Sequence, residues 1–240
     1  MEGIVVKGLC KRYKGEKGRI HHVLQNIDFC LHPGEFISLT GESGCGKSTL
    51  AKIILGIEKP DKGSIVMNGT ELTELDFKGW KQQRKLLQGV FQDVSGSLNP
   101  RRSVYANVEE AMVNLTELNR RQRRERIESL MEQTGLEPRL LDVPVRQLSG
   151  GEQRRFALLK AMAVRPEYLI LDEATSGLDL LSASSVIQML NQFRRETNCG
   201  FLFITHDLHS AYQLSDRIIT MQQGRLTLEG IRNTEKENIR

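Results

Sequence analysis

The chain has 240 residues, and its shares of hydrophobic (39%) and charged (27%) residues are those of a globular protein with a large core. The net charge of +4 is too small to indicate a surface for nucleic acid or lipid, and no apolar run is long enough to cross a bilayer. Residues 1–10 lack the apolar segment and cleavage site of an export signal, and the four cysteines show no disulfide or metal-ligand spacing, so we expect a protein of the reducing cytosol.

The first part of the chain, residues 3–69, is predicted to be rich in β-strands, with a strand and a turn at residues 63–69. Tyr13 lies in this part, and an aromatic residue near such a strand usually packs in the core or at a sheet edge. Residues 36–39 form a short apolar strand that leads directly into a glycine-rich loop.

That loop fits the pattern Gly-x-x-x-x-Gly-Lys-Ser. Its glycines let backbone N–H groups point at phosphate oxygens, Lys47 can reach the β- and γ-phosphates, and Ser48 can bind Mg²⁺. Apolar residues then recur at helical spacing at Leu50, Ile53, Ile54 and Ile57. The loop is therefore predicted to open a helix whose positive end faces an anion, the alternative being a chance glycine-rich turn. The predicted phosphate-binding residues are Gly41, Glu42, Ser43, Gly44, Cys45, Gly46, Lys47, Ser48 and Thr49.

Cys45 lies inside this loop at the start of the predicted helix, where the helix dipole favours a thiolate. A small residue that only fills space is the alternative explanation for its presence. We expect alkylation of this thiol to block nucleotide binding and bound ATP to protect it.

The middle of the chain, residues 93–164, is predicted to be rich in helices. Gln92 precedes it at the end of a predicted strand, where it is either a solvated loop amide or a ligand. An arginine-rich run at residues 120–126 is followed by Ile127, Leu130 and Met131 at core-facing spacing. No aromatic residues are interleaved with the arginines, so this run indicates a solvated helix face rather than a nucleic-acid site.

A second glycine-led helix start lies at Ser149, Gly150, Gly151 and Glu152. It precedes a helix that is predicted to end before Pro166 and to bury one face, formed by Phe156, Leu159 and Ala163. Such an entrance suits an anion. Ser149 and Glu152 also fit the capping box Ser-x-x-Glu, so a stable helix start is the simpler alternative.

An apolar run at residues 168–171 predicts a strand that is buried on both faces, and Asp172 and Glu173 follow it. The end of this strand is expected at the same sheet edge as the phosphate loop. Neighbouring strand residues point to opposite sides, so the two acids should have different roles. Asp172 suits the shell of Mg²⁺ and Glu173 suits a general base, the alternative being an acidic pair that caps a helix.

The last part of the chain alternates strands and helices from Tyr168 onward, which predicts a parallel sheet. His206 ends the apolar run at residues 201–205, a place where a histidine often has no special role. Residues 231–240 are polar and are predicted to fray. The chain shows no internal repeat, so one unit rather than a tandem pair is expected.

In this order the motifs resemble those of the ATP-binding cassette (ABC) ATPases, over about residues 5–230. The resemblance implies an α/β fold with a P-loop NTPase (RecA-like) core and a mainly parallel sheet. An antiparallel β subdomain at the N-terminus and an α-helical signature subdomain complete it. Within a single ABC ATPase domain of residues 1–240, the core with the β subdomain takes residues 1–92 and 165–230, the helical subdomain residues 93–164 and the tail residues 231–240.

The resemblance also gives each motif a role toward ATP and Mg²⁺. Tyr13 is implied to stack on adenine, and Asp179 belongs to the loop that follows the acidic pair. The implied catalytic residues are Lys47, Gln92, Glu173 and His206, and the implied metal ligands are Ser48, Gln92 and Asp172. Ser149, Gly150 and Gly151 are implied to cap the γ-phosphate held by an opposite chain. In the family, residues 148–152 correspond to the signature motif, and Glu152 departs from it, since the family often has Gln there.

Within the family, residues 91–102, 163–166 and 202–208 look like the oligopeptide, dipeptide and nickel importer group. The short C-terminus favours the nickel or metal-chelate branch over peptide cargo. This implies an ATP-hydrolysing subunit, peripheral on the cytoplasmic face of the inner (plasma) membrane.

The resemblance further implies a second ABC ATPase as a partner, with a heterodimer expected and a homodimer as the alternative. It also implies integral membrane permease subunits and, indirectly, an extracytoplasmic substrate-binding protein. No nucleic acid is expected as a partner. Three alternatives stay open, namely a soluble ABC ATPase of DNA repair or translation, a P-loop kinase, and a binding module without hydrolysis.

Overall fold

Strands and helices alternate along the chain in the computed structural model, which describes residues 2–15, 18–93, 96–175 and 180–229. The strands are β1 (Ile4–Lys14), β2 (Ile20–Leu31), β3 (Phe36–Gly41), β4 (Lys62–Met67), β5 (Thr70–Glu71), β6 (Leu87–Val90), β7 (Tyr168–Asp172), β8 (Gly200–Ile204), β9 (Arg217–Gln222) and β10 (Arg225–Glu229). The helices are α1 (Lys47–Ile54), α2 (Phe77–Gln83), α3 (Val104–Leu115), α4 (Arg120–Gln133), α5 (Gly150–Ala163), α6 (Leu180–Thr197) and α7 (Leu208–Leu214).

The strands form two sheets. The N-terminal sheet is antiparallel, with the order β2-β1-β4-β5. The second sheet has six strands in the order β10-β9-β3-β8-β7-β6, and only the hairpin of β9 and β10 in it is antiparallel. The predicted α/β fold, with a mainly parallel sheet and an antiparallel N-terminal sheet, is therefore confirmed.

The central strands of the parallel sheet are buried along their whole length. Every residue of β7 and β8 is buried, as expected for strands that are covered by helices on both faces. Phe36 of β3 stacks on Phe201 of β8 with ring centroids 4.8 Å apart, and it meets Phe203 edge to face at 6.0 Å. These rings fix β3 beside β8, which places the loops after the two strands next to each other.

One helix ends earlier than its apolar spacing predicts. Ile57 was expected on the buried face of α1, but the helix ends at Ile54 and the Ile57 side chain is 58% exposed. Gly56 turns the chain out of the helix with a φ of +66°, which glycine adopts readily. A Cβ there would also lie 2.1 Å from the Trp80 ring, so the packing of α2 against this turn fixes the end of α1.

The helical stretch between α3 and α5 buries the residues that its periodicity predicts. Ile127, Leu130 and Met131 of α4 are buried, and α3, α4 and α5 pack on one another. Arg121 and Arg124 of α4 lie in solvent and pair with acids four residues later at 2.7 and 2.8 Å, whereas Arg123 is 16% exposed and pairs with Glu109 of α3 at 3.2 Å. Water screens exposed pairs of this kind, and for these two arginines the interpretation as a solvated helix face is confirmed.

None of the helices in the described ranges has both the length and the apolar character that a membrane span requires. The polar tail predicted for residues 231–240 lies outside the described residues, as do residues 176–179.

Candidate functional site

The carboxyl ends of the parallel strands bring most of the predicted site residues to one edge of the sheet. β3 leads into the phosphate loop, β7 ends at Asp172, and β8 leads to His206. Leu39 and Asp172 both pair with Ile204, so the three strand ends lie side by side. Gln92 follows β6, which pairs in parallel with β7, and its side chain is exposed.

The phosphate loop needs glycine for two different reasons. Gly41 and Gly46 have φ of +143° and +115°, and a Cβ on either would lie 2.3 or 2.6 Å from a backbone oxygen of Met221 or Val23. Gly44 has a φ of +79°, but a Cβ there would meet nothing within 4 Å. The neighbouring backbone therefore requires two of these glycines, while Gly44 is required by backbone conformation alone and faces open space.

The helix that follows the loop presents an uncapped N-terminus. Gly46 is the N-cap residue of α1, and in the described part of the chain this N-cap has no side-chain hydrogen bond. The first N–H groups of a helix have no partner within the helix, and they carry the positive end of its dipole. This loop and helix start therefore fit a phosphate group.

Lys47 holds the loop together from inside. Its side chain is 7% exposed, and its Nζ donates hydrogen bonds of 2.8 Å to the carbonyl oxygens of Gly41 and Glu42. The same Nζ lies 3.8 Å from Sγ of the half-buried Cys45. An ammonium group is thus fixed within the loop, where it can compensate the charge of a triphosphate.

Asp172 and Ser48 form a small oxygen-lined site beside the loop. Asp172 is 5% exposed and accepts a hydrogen bond from the side chain of Ser48. Burial raises the pKa of Asp172, and the hydrogen bond from Ser48 opposes this shift. Within the described residues, Oδ1 of Asp172 is buried and has no hydrogen-bond partner. A carboxylate oxygen of this kind beside a hydroxyl group fits a Mg²⁺ ion.

Glu173 lies just beyond the end of β7, so its surroundings differ from those of Asp172 for a reason other than the predicted alternation along the strand. It has a φ of +54°, a rare conformation for a residue other than glycine, and its N–H donates to the oxygen of Ile204 at 2.9 Å. Its Oε1 lies 3.5 Å from Nδ1 of His206, and the two side chains are 23% and 62% exposed. This carboxylate is accessible and has a proton-binding neighbour, so the pair can do acid–base chemistry.

Two residues beside His206 were missed by the sequence interpretation. Asp207 is the N-cap of α7 and accepts hydrogen bonds from the N–H groups of His209 and Ser210. The hydroxyl of Ser210 is the first cause of the lowered pKa of Asp207. Thr205 accepts a hydrogen bond from the N–H of Asp207 at 3.0 Å. These contacts fix the backbone on either side of His206, and an Asp before a helical stretch was the available signal.

Tyr13 lies against the phosphate-loop helix rather than in the core. Its side chain is 39% exposed, and its hydroxyl group is hydrogen-bonded to Thr49 of α1 and donates to Glu58 at 2.6 Å. The structure therefore brings Tyr13 next to the predicted phosphate-binding residues.

The second glycine-led helix start is closed by its own side chains. Ser149 is the N-cap of α5, and its Oγ accepts from the N–H of Glu152 at 3.3 Å. Oε2 of Glu152 accepts in return from the N–H and the hydroxyl of Ser149, both at 2.8 Å, and the backbone bond is the main cause of the lowered pKa of Glu152. The predicted capping box is confirmed.

The structure does not join this helix start to the rest of the candidate site. Within the ranges that the structure describes, Ser149, Gly150 and Gly151 have no hydrogen bond to the phosphate loop or to the acidic pair. A Cβ on Gly150 would meet nothing within 4 Å, so this backbone is open to contact. Asp179 was predicted to contribute as well, but it lies outside the described residues.

Comparison with known proteins relates this arrangement to one family. Residues 24–176 match the family model described as ABC transporter. The chain is 38% identical over 218 residues to "Nickel import ATP-binding protein NikE" of Brucella suis biovar 1, covering 91% of this chain and 82% of that protein. It is 37% identical over 225 residues to the protein of the same name from Escherichia coli (strain K12), covering 92% and 84%.

Solved structures share the fold over nearly the whole chain. A dimer of the ATP-binding cassette MJ0796 in a post-hydrolysis state bound to ADP and Pi has a TM-score of 0.86 and 30% identity, covering 95% of this chain and 97% of that one. The structure of cbiO1 from Clostridium perfringens, described as part of the ABC transporter complex cbiONQ, has a TM-score of 0.79 and 32% identity, covering 94% and 86%.

Proposed function

This chain belongs to the ABC transporter family and is one of its ATPases, and on that premise we propose that it powers the import of nickel or a metal chelate across the cytoplasmic membrane. The observation that carries the ATP-hydrolysing part of the proposal is the sheet edge that assembles the phosphate loop, Asp172, Glu173 and His206. The proposed location of the protein is the cytoplasmic face of that membrane.

In the proposed site, the triphosphate lies over the uncapped start of α1. Backbone N–H groups of residues 41–49 bind its oxygens, and Lys47 exchanges its carbonyl partners for the β- and γ-phosphates. The hydrogen bonds from Nζ of Lys47 to the oxygens of Gly41 and Glu42 support this, because they already hold the ammonium group within the loop. The ring of Tyr13, whose hydroxyl group is hydrogen-bonded to Thr49, stacks on the adenine base.

Mg²⁺ fits the site formed by Ser48 and Asp172, with Gln92 as a further ligand. The buried Oδ1 of Asp172, which has no hydrogen-bond partner among the described residues, supports this assignment. When bound, the ion neutralises part of the phosphate charge.

Glu173 acts as the general base in this proposal. Its carboxylate accepts a proton from the attacking water, and His206, 3.5 Å away, stabilises the charge that develops on the γ-phosphate. The strained backbone at Glu173 supports the role, since such strain is concentrated at functional sites.

A second ATPase chain completes each site. Ser149, Gly150 and Gly151 of one protomer cap the γ-phosphate that the other protomer holds, and Asp179 contributes at this interface. The dimeric state of the related MJ0796 cassette supports a dimer. ATP closes the dimer because the signature binds ATP more tightly than ADP, and a ligand shifts an equilibrium only by its differential affinity. We expect a heterodimer with a related ATPase, and a homodimer is the alternative.

Closure transmits force to membrane partners in this proposal. Residues 93–164 form a helical subdomain that moves with the signature, and residues 92–102 contact permease subunits, which an extracytoplasmic substrate-binding protein supplies with cargo. The names of the related nickel import proteins support the cargo, and the membership of cbiO1 in the transporter complex cbiONQ supports a membrane assembly.

Uptake assays test the proposal and its cargo. In cells that lack the gene, uptake of radiolabelled nickel or a nickel chelate should fall and should be restored by the wild-type gene but not by Lys47→Ala. If the uptake of short peptides falls instead, the protein is still an importer ATPase, but its cargo is peptide rather than nickel. Co-purification with ribosomes or nucleic acid, and with no integral membrane protein, would contradict the transport function.

A further inference from the structure

The end of strand β1 is tied to the segment that follows helix α1. The N–H of Asp61 donates to the oxygen of Cys10 at 2.9 Å, and its carboxylate accepts from the N–H of Arg12 at 2.6 Å. Nζ of Lys11 donates to the oxygen of Lys59 at 2.7 Å. These contacts hold the strand just before Tyr13 in one place.

Glu58 lies at the centre of this contact. Its Oε1 accepts the hydroxyl hydrogen of Tyr13 at 2.6 Å and pairs with Nζ of Lys11 at 3.1 Å. The side chains of Lys11 and Glu58 are only 13% and 24% exposed, so the ion pair is partly screened from water. Burial raises the pKa of Glu58, but the hydrogen bonds from Tyr13 and Lys11 outweigh it and the net pKa is lowered. The carboxylate is therefore ionised at neutral pH.

The same contact leaves one side of the Tyr13 ring for a ligand. Nζ of Lys11 lies over the ring, 5.4 Å from its centroid. A flat base needs a bare ring face, so it can stack only on the face that Lys11 does not cover. The hydroxyl end of the ring is held by Glu58 and by Thr49, and Thr49 lies in the first turn of α1, directly after the phosphate loop.

We infer that Glu58, supported by Lys11, is a positioning residue that fixes the Tyr13 ring in the orientation that adenine binds. The inference rests on the proposed ATP site and names a residue that acts on it through Tyr13. Glu58 does not touch the nucleotide. It removes the need to order a half-exposed ring when the base arrives, which is a cost that otherwise weakens binding.

Two probes separate the base from the phosphates. We would measure the dissociation constants of ATP and of inorganic tripolyphosphate, which lacks the base, for the full chain. Glu58→Ala should weaken ATP binding about 3- to 10-fold and leave tripolyphosphate binding unchanged, because the variant loses the ordering of one side chain, that of Tyr13. KM for ATP should rise by the same factor while kcat stays constant. Glu58→Gln should recover part of the loss, since its amide oxygen still accepts from Tyr13.

Tyr13→Phe provides a second route to the same contact, because it keeps the ring and removes the hydroxyl. Tyr13→Phe should weaken ATP binding at least as much as Glu58→Ala, because it also removes the hydrogen bond to Thr49, and the double variant should bind ATP no more weakly than Tyr13→Phe. Glu74→Gln, on an exposed acid outside this cluster, is the matched control and should change nothing.

Three results would overturn the inference. Glu58→Ala could weaken the binding of both probes equally, the effects of the two changes could be additive in the double variant, or ATP affinity could stay unchanged in every Glu58 variant. These failures differ from a failure of the proposed function, which would appear as a wild-type chain that does not bind ATP at all.

Discussion

Glycine residues lie at the starts of both helix α1 and helix α5, but the N–H groups of the two first turns have opposite surroundings. At α1 no side chain among the described residues caps the first turn, and Lys47 brings a positive charge into the loop. At α5 Ser149 caps the first turn, and Glu152 brings a negative charge to it. The first end is prepared for an anion, whereas the second already pairs the N–H of Glu152 with a side chain and holds a carboxylate beside it.

The largest expected effect separates the roles of the two ends. Lys47→Ala and Ser149→Arg should each lower the ATPase rate at least about 100-fold, because each removes a group that stabilises transferring phosphate. Only Lys47→Ala should weaken ATP binding to the separate chain, since the signature of one chain serves the site of another. Calorimetric titration of both variants at a concentration without dimers checks this. Equal loss of binding in both variants would remove the distinction.

Modification of Cys45 probes the α1 end alone. Its thiol is half-buried beside Nζ of Lys47, so an alkyl group there should displace the lysine and block the phosphates. We expect ATP affinity to fall at least about 10-fold, and saturating ATP should slow the labelling. Mass spectrometry that follows labelling of Cys45 with and without ATP is the measurement, with Cys45→Ser as the control. Full modification with unchanged ATP affinity would be the contrary result.

Glu152→Gln probes the α5 end, with a smaller effect. A neutral side chain at this position keeps the capping geometry but no longer repels a γ-phosphate, so KM for ATP should fall a few-fold. An unchanged rate and ATP affinity would leave Glu152 with the capping role only.

The same variant gives a pH-dependent change in stability. The pKa of Glu152 is lowered from its ordinary value of 4.5, first by the hydrogen bond from the Ser149 N–H, so its ionised form stabilises the fold. That contribution is complete above pH 4.5 and is lost as the pH falls through the lowered pKa. At pH 7 the wild type should be more stable than Glu152→Gln by about 0.3–1 kcal/mol. Thermal unfolding between pH 3 and 7 should show the difference disappear at the acid end.

The features that were predicted from the sequence depend on residues close together in the chain. The phosphate loop, the capping box of Ser149 and the buried strand before Asp172 each lie within a few residues, and local periodicity and turn chemistry specify them. The meeting of the phosphate loop and Asp172 at one sheet edge followed from the parallel order of the strands.

The features that were missed depend on contacts between distant parts of the chain. Glu58 meets Tyr13 across 45 residues, and no local pattern marks that pair. The exposed position of Ile57 depends on Trp80, whose ring packs where a Cβ of Gly56 would lie. Tertiary packing therefore decided the end of α1 against a periodicity that continued past it.

The central claim is that two chains grip each triphosphate together, and ATP-dependent association tests it most directly. Sedimentation velocity of Glu173→Gln, which binds ATP but hydrolyses it slowly, should show dimers with ATP and monomers without it, either alone or with its partner ATPase. Adding Ser149→Arg should abolish these dimers while ATP still binds. Monomers at saturating ATP in every mixture would contradict the claim, and so would dimers that still form when Ser149→Arg is present.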